Sequence, residues 1–275
     1  MNRNTPSFAC NTYSYTISHT AEACLSHLAD LGFSEFELMM YPGHLWPPDM
    51  SDRHRASLRR LIDSRDLRLV TLNMPNIDMN IAGASSEMRR YTLDLLRQIV
   101  ELAGDLEIPG VIIGPGKSNP LFPAPRERLE GYFFAALDEL APLAKKAGTA
   151  LWVENMPFAF IPDIEGLMRA LDQYGNDDIG IVYDVANGHF INEDLAVSLR
   201  RCAGRLRLVH LSDTGQKIYR HDPVGDGDVP FADVPPVLRE IGHARLPMLE
   251  IISPNADADI LSSTDKLAAM GYART

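Results

Sequence analysis

Four residues of metal-binding type each directly follow a short apolar run in the second half of the chain: Glu154, Asp184, His210 and Glu250. Each run has the length and composition of a strand buried in a parallel sheet. Any one of these residues alone could cap a loop or pair with an arginine. Three converging carboxylates, however, repel one another unless a cation or shared protons lie between them. If the four strand ends meet, they therefore predict a site for one divalent metal ion.

Strand and helix signals alternate along the whole chain, which predicts eight strand–helix units of about 34 residues each. The predicted fold class is α/β, a single (β/α)8 TIM barrel, with residues 1–275 in one domain because no linker divides them. The carboxyl ends of barrel strands meet on one face, where active sites lie. The alternative, an open doubly wound sheet, lacks support because the first strand-to-helix turn, residues 11–15, has no glycine for a pyrophosphate.

The pattern also predicts where the elements lie. Strands are predicted at residues 7–11, 35–41, 67–74 and 110–113, followed by four that end at residues 154, 184, 210 and 250. Helices are predicted at residues 20–31, 51–64, 85–103, 126–147, 163–174, 193–202, 231–241 and 257–270. Ser51 and Asp163 are expected to cap their helices, and Gly148 is expected to end one.

Composition places the chain among ordinary globular proteins, with 45% hydrophobic and 23% charged residues. Its three cysteines, Cys10, Cys24 and Cys202, are far apart and odd in number. They favour a reducing compartment and a role as core filler over a disulfide frame. Residues 1–15 do not resemble a signal peptide, and no apolar run approaches the length of a membrane span. The predicted location is the cytoplasm, with no membrane partner.

The formal net charge of −11 argues against nucleic acid as a partner, because an acidic surface repels a phosphate backbone. The arginine pairs at residues 59–60, 89–90 and 200–201 fall on separate predicted helices and form no basic stripe. The same charge weakly favours neutral over phosphorylated substrates. Lys117 and Arg220 are local positive charges that would instead favour a phosphorylated substrate.

Hard oxygen donors with one imidazole favour Mn²⁺, with Mg²⁺ or Co²⁺ as options and Zn²⁺ ranked lower. Such an ion could chelate adjacent hydroxyl and carbonyl oxygens of a sugar and stabilise an enediolate. Glu154 or Glu250 could then remove the proton next to the carbonyl, and the other could return it.

Four segments around these residues resemble the xylose-isomerase-like barrel superfamily. They are Val153-Glu154-Asn155, residues 183–187, residues 209–213 and Leu249-Glu250-Ile251. Residues 221–227 resemble its loop after strand seven. This superfamily contains sugar isomerases, ketose 3-epimerases, hydroxypyruvate isomerase, inosose dehydratase and type IV AP endonuclease. The resemblance covers essentially the whole chain. It implies that Glu154, Asp184, His210 and Glu250 bind one divalent metal and that the two glutamates double as acid and base.

The sequence departs from the ketose 3-epimerases at three substrate-contacting positions. Phe160 stands where they have a second glutamate, Asn187 where they have a histidine, and Gln216 where they have an arginine. It also departs from the endonuclease branch. Asn73 and Gly114 replace that branch's extra metal-binding histidines, and Tyr219-Arg220-His221 replaces its Asp-Arg-His motif. A trinuclear DNA-cleaving site is therefore not expected.

Five residues are candidates for substrate binding: His44, Trp46, Asn187, His221 and Lys117. His44 and Trp46 follow strand two, where an indole could stack on a sugar, although the neighbouring prolines also suit a purely structural loop. His221 lies on a glycine-rich loop after strand seven. Lys117 follows a Gly-Pro-Gly turn and could bind a carboxylate or phosphate, or could simply be solvated.

The other histidines have simpler expectations. His189 follows strand six and could cap the next helix. His19, His27, His54 and His243 are expected at the surface.

The function predicted from these residues is a metal-dependent isomerase or epimerase acting on a small-molecule sugar or sugar derivative through an enediolate. One alternative is a lyase or dehydratase acting on a keto-sugar or 3-oxo-glycoside with the same metal site, as in C-glycoside deglycosidases or inosose dehydratase. A second is a non-catalytic barrel subunit. A homo-oligomer is an open expectation.

Overall fold

The structure is a computed structural model that describes residues 7–74 and 78–272. Eight parallel strands close into one barrel in chain order, and β8 pairs with β1. This confirms the predicted (β/α)8 TIM barrel. The strands are β1 Ala9–Asn11, β2 Glu35–Met39, β3 Arg68–Asn73, β4 Gly110–Ile113, β5 Ala150–Glu154, β6 Gly180–Asp184, β7 Leu206–Leu211 and β8 Met248–Leu249.

The α-helices surround the barrel. They are α1 Ala21–Asp30, α2 Asp52–Ser64, α3 Ser86–Asp105, α4 Arg126–Ala147, α5 Ile164–Tyr174, α6 Val185–Phe190, α7 Leu195–Cys202, α8 Val234–Glu240 and α9 Ala256–Leu267. Short 3-10 turns occupy Tyr13–Tyr15, Pro47–Asp49 and Phe231–Asp233, and a π-helical turn follows α9 at Ala268–Tyr272. Among the described residues, no helix is both long and apolar enough to cross a membrane.

The residues predicted to begin or end helices do so at three helix ends. The Ser51 side chain accepts a hydrogen bond from the amide of His54, and Asp163 accepts one from Gly166. These contacts satisfy amides that a helix start leaves without a partner. Gly148 ends α4 with a φ of +79°, a conformation that glycine adopts without steric cost.

Several elements differ from the sequence-based prediction. Helix α6 was not predicted, and it forms because Asp184 at the end of β6 also caps it: the carboxylate accepts a hydrogen bond from the Asn187 amide. The helix predicted at residues 193–202 begins later, at Leu195, because the Asp194 side chain caps it by accepting a hydrogen bond from the Val197 amide. The helix predicted at residues 231–241 divides into a 3-10 turn and α8, whose first turn contains proline. Strand β8 has only two residues.

The strand period of two places the candidate metal ligands above a packed layer. Side chains two residues apart on a strand point to the same face. Trp152, Val182, Leu208 and Met248 belong to one buried apolar cluster, and each precedes a candidate ligand by two residues. This layer closes the barrel beneath the ligands. The three cysteines are buried and unpaired, as predicted for core filler.

Strand register brings the four ligand positions to one level. Asp184 on β6 pairs directly with His210 on β7. Glu154 pairs with Val182, two residues before Asp184. The amide of Glu250 donates to the carbonyl of Leu211, one residue after His210. The closed barrel therefore places these four side chains around one point.

Candidate metal centre and cavity

Glu154, Asp184, His210 and Glu250 form a buried cluster at the carboxyl-terminal face of the barrel. One potential ligand atom from each lies within 4.8 Å of those of the other three. His210 Nδ1 lies 3.1 Å from Glu154 Oε1, 3.0 Å from Glu250 Oε2 and 3.9 Å from Asp184 Oδ2. The three carboxylates therefore face the same nitrogen, as the strand ends predicted.

The donor set suits a divalent cation. Asp184 Oδ2 is buried and has no hydrogen-bond partner within residues 7–74 and 78–272, whereas Oδ1 accepts the Asn187 amide at 2.7 Å. A buried carboxylate oxygen without a donor is costly unless an ion or proton lies beside it. Three carboxylates and one imidazole are ligands that Mn²⁺ and related divalent ions accept. The cluster could therefore hold such an ion.

Burial and mutual repulsion shift the protonation of this cluster. Burial, with the neighbouring carboxylates adding to it, raises the pKa of Glu154 to about 7 and that of Glu250 to about 7. Burial by itself lowers the pKa of His210, but the carboxylates of Glu37 and Glu250 outweigh it and raise that pKa well above its usual value. Without a cation, the cluster therefore retains protons near neutral pH.

Metal binding should therefore release protons and weaken as the pH falls. Ligand carboxylates and imidazole bind metal in their deprotonated forms. Because the pKa values of Glu154 and Glu250 lie near 7, more protons must leave at pH 6 than at pH 8. Calorimetric titration with Mn²⁺ in buffers of different ionisation enthalpy would count them. Affinity and proton release that stayed constant between pH 6 and 8 would contradict this assignment.

Two of the four candidate ligands differ from the others in their access to solvent. Glu154 and Glu250 line a cavity of about 370 Å³, within the size range of small-molecule sites, whereas Asp184 and His210 are fully buried. A molecule in this cavity would touch the glutamates first. Most other lining residues are apolar or aromatic. They are Tyr13, Met39, Met74, Met156, Pro157, Phe158, Ala159, Tyr219 and Ile252, together with the polar residues Asn73, Lys117, Asn187 and His221.

Three of the five predicted substrate-binding residues line this cavity: Asn187, His221 and Lys117. Burial lowers the pKa of Lys117, and its backbone is held by the Asn80 amide group, which accepts from the Lys117 amide at 2.8 Å and donates to its carbonyl at 2.9 Å. Lys117 is thus a half-buried cation on an anchored loop.

His44 and Trp46 are not among the described residues that line the cavity. His44 is buried, its Nδ1 donates to the carbonyl of His19 at 2.7 Å, and its Nε2 lies 3.0 Å from Thr12 Oγ1. With both ring nitrogens engaged, His44 braces the loop after β2. Trp46 packs partly buried against the hydrophobic core. The structural alternative considered for this loop therefore fits better than substrate contact.

His221 lies beside the metal-type cluster, 3.6 Å from Glu250 Oε2 and 3.8 Å from Asp184 Oδ2 through its Nδ1. Asn187 Nδ2 donates to the carbonyl of Asn155, which leaves Asn187 Oδ1 to accept from the Tyr219 hydroxyl at 2.6 Å. That hydroxyl then accepts from His221 Nε2 at 2.7 Å. Asn187 therefore supports the pocket wall, and this chain of hydrogen bonds orients the His221 ring.

The loop that carries Tyr219 and His221 is held by Asp213, which follows β7. Its carboxylate accepts hydrogen bonds from the amides of Thr214, Gly225 and Val229 at 2.9, 2.7 and 3.1 Å. Asp213 and Asp222 also exchange two backbone hydrogen bonds of 2.8 Å. This loop is therefore fixed over the cavity.

The remaining histidines lie away from the cavity lining. His189 Nε2 pairs with Asp228 Oδ1 at 2.6 Å. His54 is exposed, as predicted, but His19, His27 and His243 are half-buried. His27 lies inward because its Nε2 contacts Asp257 at 2.9 Å. Burial lowers the pKa of His243 to about 4.

Sequence reasoning missed several site residues. Phe158 lies only four positions after Glu154, so the loop after β5 could have been searched for lining residues. Tyr13 follows β1 and Ile252 follows β8 in the same way. Glu37 on β2, which lies 3.2 Å from His210 Nε2 through its Oε2, was also missed. Its signal was a charged residue between apolar neighbours in the middle of a predicted strand.

The fold and this cluster define a parallel α/β barrel with a candidate divalent-metal site at its carboxyl-terminal face. The profile of the family described as xylose isomerase-like TIM barrel matches residues 25–270. The chain belongs to that family.

Individual relatives are similar at low identity. An L-ribulose-5-phosphate 3-epimerase from Shigella boydii is 21% identical over 235 residues, which cover 79% of this chain and 82% of that protein. The crystal structure of a D-tagatose 3-epimerase-like protein has a TM-score of 0.82 at 20% identity and covers 96% of both chains. An L-ribulose 3-epimerase structure has a TM-score of 0.77 at 22% identity, over 94% of this chain and 86% of the other.

Proposed function

We propose that this chain is a divalent-metal-dependent sugar epimerase or isomerase that moves a proton at a carbon next to a carbonyl. The observation that carries the proposal is the division of the cluster: Glu154 and Glu250 reach the cavity, while Asp184 and His210 lie behind them. Two carboxylates are thus available both to an ion and to a substrate. The relatives named as ketose 3-epimerases support the same reaction class.

Glu154, Asp184, His210 and Glu250 would hold the ion, with Mn²⁺ favoured by their oxygen-rich set. When bound, a divalent cation supplies Lewis-acid polarisation of a carbonyl and so acidifies the neighbouring C–H bond. Glu154, at the end of β5, and Glu250, directly after β8, would each exchange a proton with that carbon. Removal by one and return by the other would invert the carbon, whereas transfer by one residue between adjacent carbons would isomerise the sugar. The apolar wall excludes water around this step.

A lyase acting on a keto-sugar or 3-oxo-glycoside is the second candidate, since it begins with the same proton removal. The observation that favours it is the apolar side of the cavity, where Met156, Phe158 and Ile252 could receive an apolar leaving group. The lyase alternative also follows from Phe160, Asn187 and Gln216, which differ from the residues that the resemblance to ketose 3-epimerases leads us to expect; of the three, Asn187 lines the described cavity. A non-catalytic subunit is the remaining alternative.

Product analysis separates these functions. The Mn²⁺-loaded protein would be offered aldoses, ketoses, inososes and 3-oxo-glycosides, and the products would be identified by NMR after metal removal. We expect a product epimeric or isomeric to its substrate. Loss of water or of an aglycone would instead identify a lyase. No conversion across the panel, with metal bound, would count against catalysis on these substrates.

A further inference from the structure

Glu37 is a fully buried carboxylate that lies beside the cluster but belongs to neither its ligands nor the described cavity lining. It points from the middle of β2 into the barrel. The strand register places it between Asn11 on β1 and Thr71 on β3. A buried carboxylate needs compensating partners, so the identity of its neighbours indicates what it does.

Three neutral side chains donate hydrogen bonds to Glu37. Asn11 Nδ2 donates to Oε1, Asn73 Nδ2 donates to Oε1 at 3.0 Å, and the Thr71 hydroxyl donates to Oε2. The orientation of the Asn11 amide is fixed independently, because Asn11 Oδ1 accepts from the backbone amide of Tyr13 at 2.7 Å. An ionised carboxylate only accepts hydrogen bonds, so this surrounding of donors suits the ionised form.

The fourth neighbour of Glu37 is the ring of His210, whose Nε2 lies 3.2 Å from Oε2. Facing an acceptor, Nε2 must carry a hydrogen and donate it. The other ring nitrogen, Nδ1, faces Glu154 and Glu250 at 3.1 and 3.0 Å. The two nitrogens therefore have different environments, one set by Glu37 and the other by the ligand cluster.

We propose that Glu37 is a positioning residue that holds His210 with its hydrogen on Nε2, so that the Nδ1 lone pair is directed at the metal ion. The inference rests on the metal site of the proposed function and adds the group that prepares it. Metal-bound histidines commonly donate their other ring N–H to a carboxylate or carbonyl, which fixes the ring and increases its basicity as a ligand. Glu37 acts through His210 and does not touch the substrate.

Glu37→Gln tests this role because glutamine has the same shape but brings its own N–H donors. We expect the Kd for Mn²⁺ to rise by about 10–100-fold, the usual loss when such a partner is removed. Glu35→Gln is the matched control on the same strand, since Glu35 pairs outside the cluster with Arg68. Thr71→Val removes one of the three neutral donors to Glu37 but leaves the carboxylate beside His210, so the Kd for Mn²⁺ should rise by less than it does in Glu37→Gln.

A second measurement determines directly which ring nitrogen of His210 carries the hydrogen and which binds the metal. NMR of nitrogen-labelled histidine in the Zn²⁺-loaded parent protein should show a protonated Nε2 and a metal-bound Nδ1 for His210, assigned with His210→Asn. Metal on Nε2 would overturn the proposal even if Glu37→Gln failed to fold. An unchanged Kd in a folded Glu37→Gln variant would overturn it as well. If the parent protein bound no metal in the same titration, the proposed function itself would fail.

Discussion

Replacing Glu154 or Glu250 with glutamine should lower kcat/KM for epimerisation by roughly 10²–10⁴-fold, the usual contribution of a general acid or base. Each substitution removes a proton-transferring carboxylate that lines the cavity. The barrel should remain folded, because glutamine keeps the size of the side chain and relieves the repulsion among buried carboxylates. Activity would be measured at saturating Mn²⁺, since both residues are also candidate ligands.

Isotope exchange gives this prediction its sharpest form. If each glutamate serves one face of the substrate, Glu250→Gln should still exchange solvent hydrogen into one epimer without inverting it, through Glu154. Glu154→Gln should do the same with the other epimer. Glu165→Gln, a change of the same type at an exposed position on α5, is the control. Full activity in either site variant would rule out the acid–base assignment.

Asp184→Asn should weaken Mn²⁺ binding by at least about 100-fold, the upper end of the loss seen when only a supporting partner of a ligand is removed. The substitution keeps an oxygen that can cap α6 but replaces the buried Oδ2 with an amide. Because Oδ2 has no hydrogen-bond donor among the described residues, the metal-free variant should be at least as stable as the metal-free parent. If Asp184 had a purely structural role, the substitution would instead make the metal-free variant less stable than the metal-free parent.

Thermal unfolding with and without metal measures both effects. Metal at 100 times its Kd stabilises a protein by about 2.7 kcal/mol, which for a chain of this size raises Tm by roughly 5–10 °C. The parent protein should show this rise and Asp184→Asn should not. Asp265→Asn on the surface of α9 should respond like the parent. Equal metal-induced shifts in all three proteins would remove Asp184 from the ligand set.

The sequence alone was sufficient to predict the barrel and the convergence of the four candidate ligands. Glu154, Asp184, His210 and Glu250 each follow an apolar strand, and parallel strands in a closed barrel have no other way to end than on one face. This geometry depends only on the order of strands and helices, and that order can be predicted from the spacing of apolar residues in the sequence. The limits of α6 depend instead on Asp184 acting as a helix cap, a contact between a site residue and the next turn of chain.

The contacts of individual side chains in loops could not be predicted. His44 and Trp46 follow β2, as a cavity residue would, but neither is among the described lining residues, and the His44 ring contacts His19 and Thr12. Those partners lie about 25 to 32 positions earlier in the chain. Glu37 is the converse case. Its role depends on donors from β1, β3 and β7, which only the closed barrel brings together.

The most direct test of the account is proton NMR of a convertible ketose in D₂O, with the chain loaded with Mn²⁺ and, in parallel, stripped of metal. The spectra would be recorded after removal of the ion. We expect deuterium at the carbon next to the carbonyl with the loaded protein, and none above background with the stripped protein or with Asp184→Asn. Inversion of that carbon without deuterium entering it would contradict proton removal by one of Glu154 and Glu250 and return by the other.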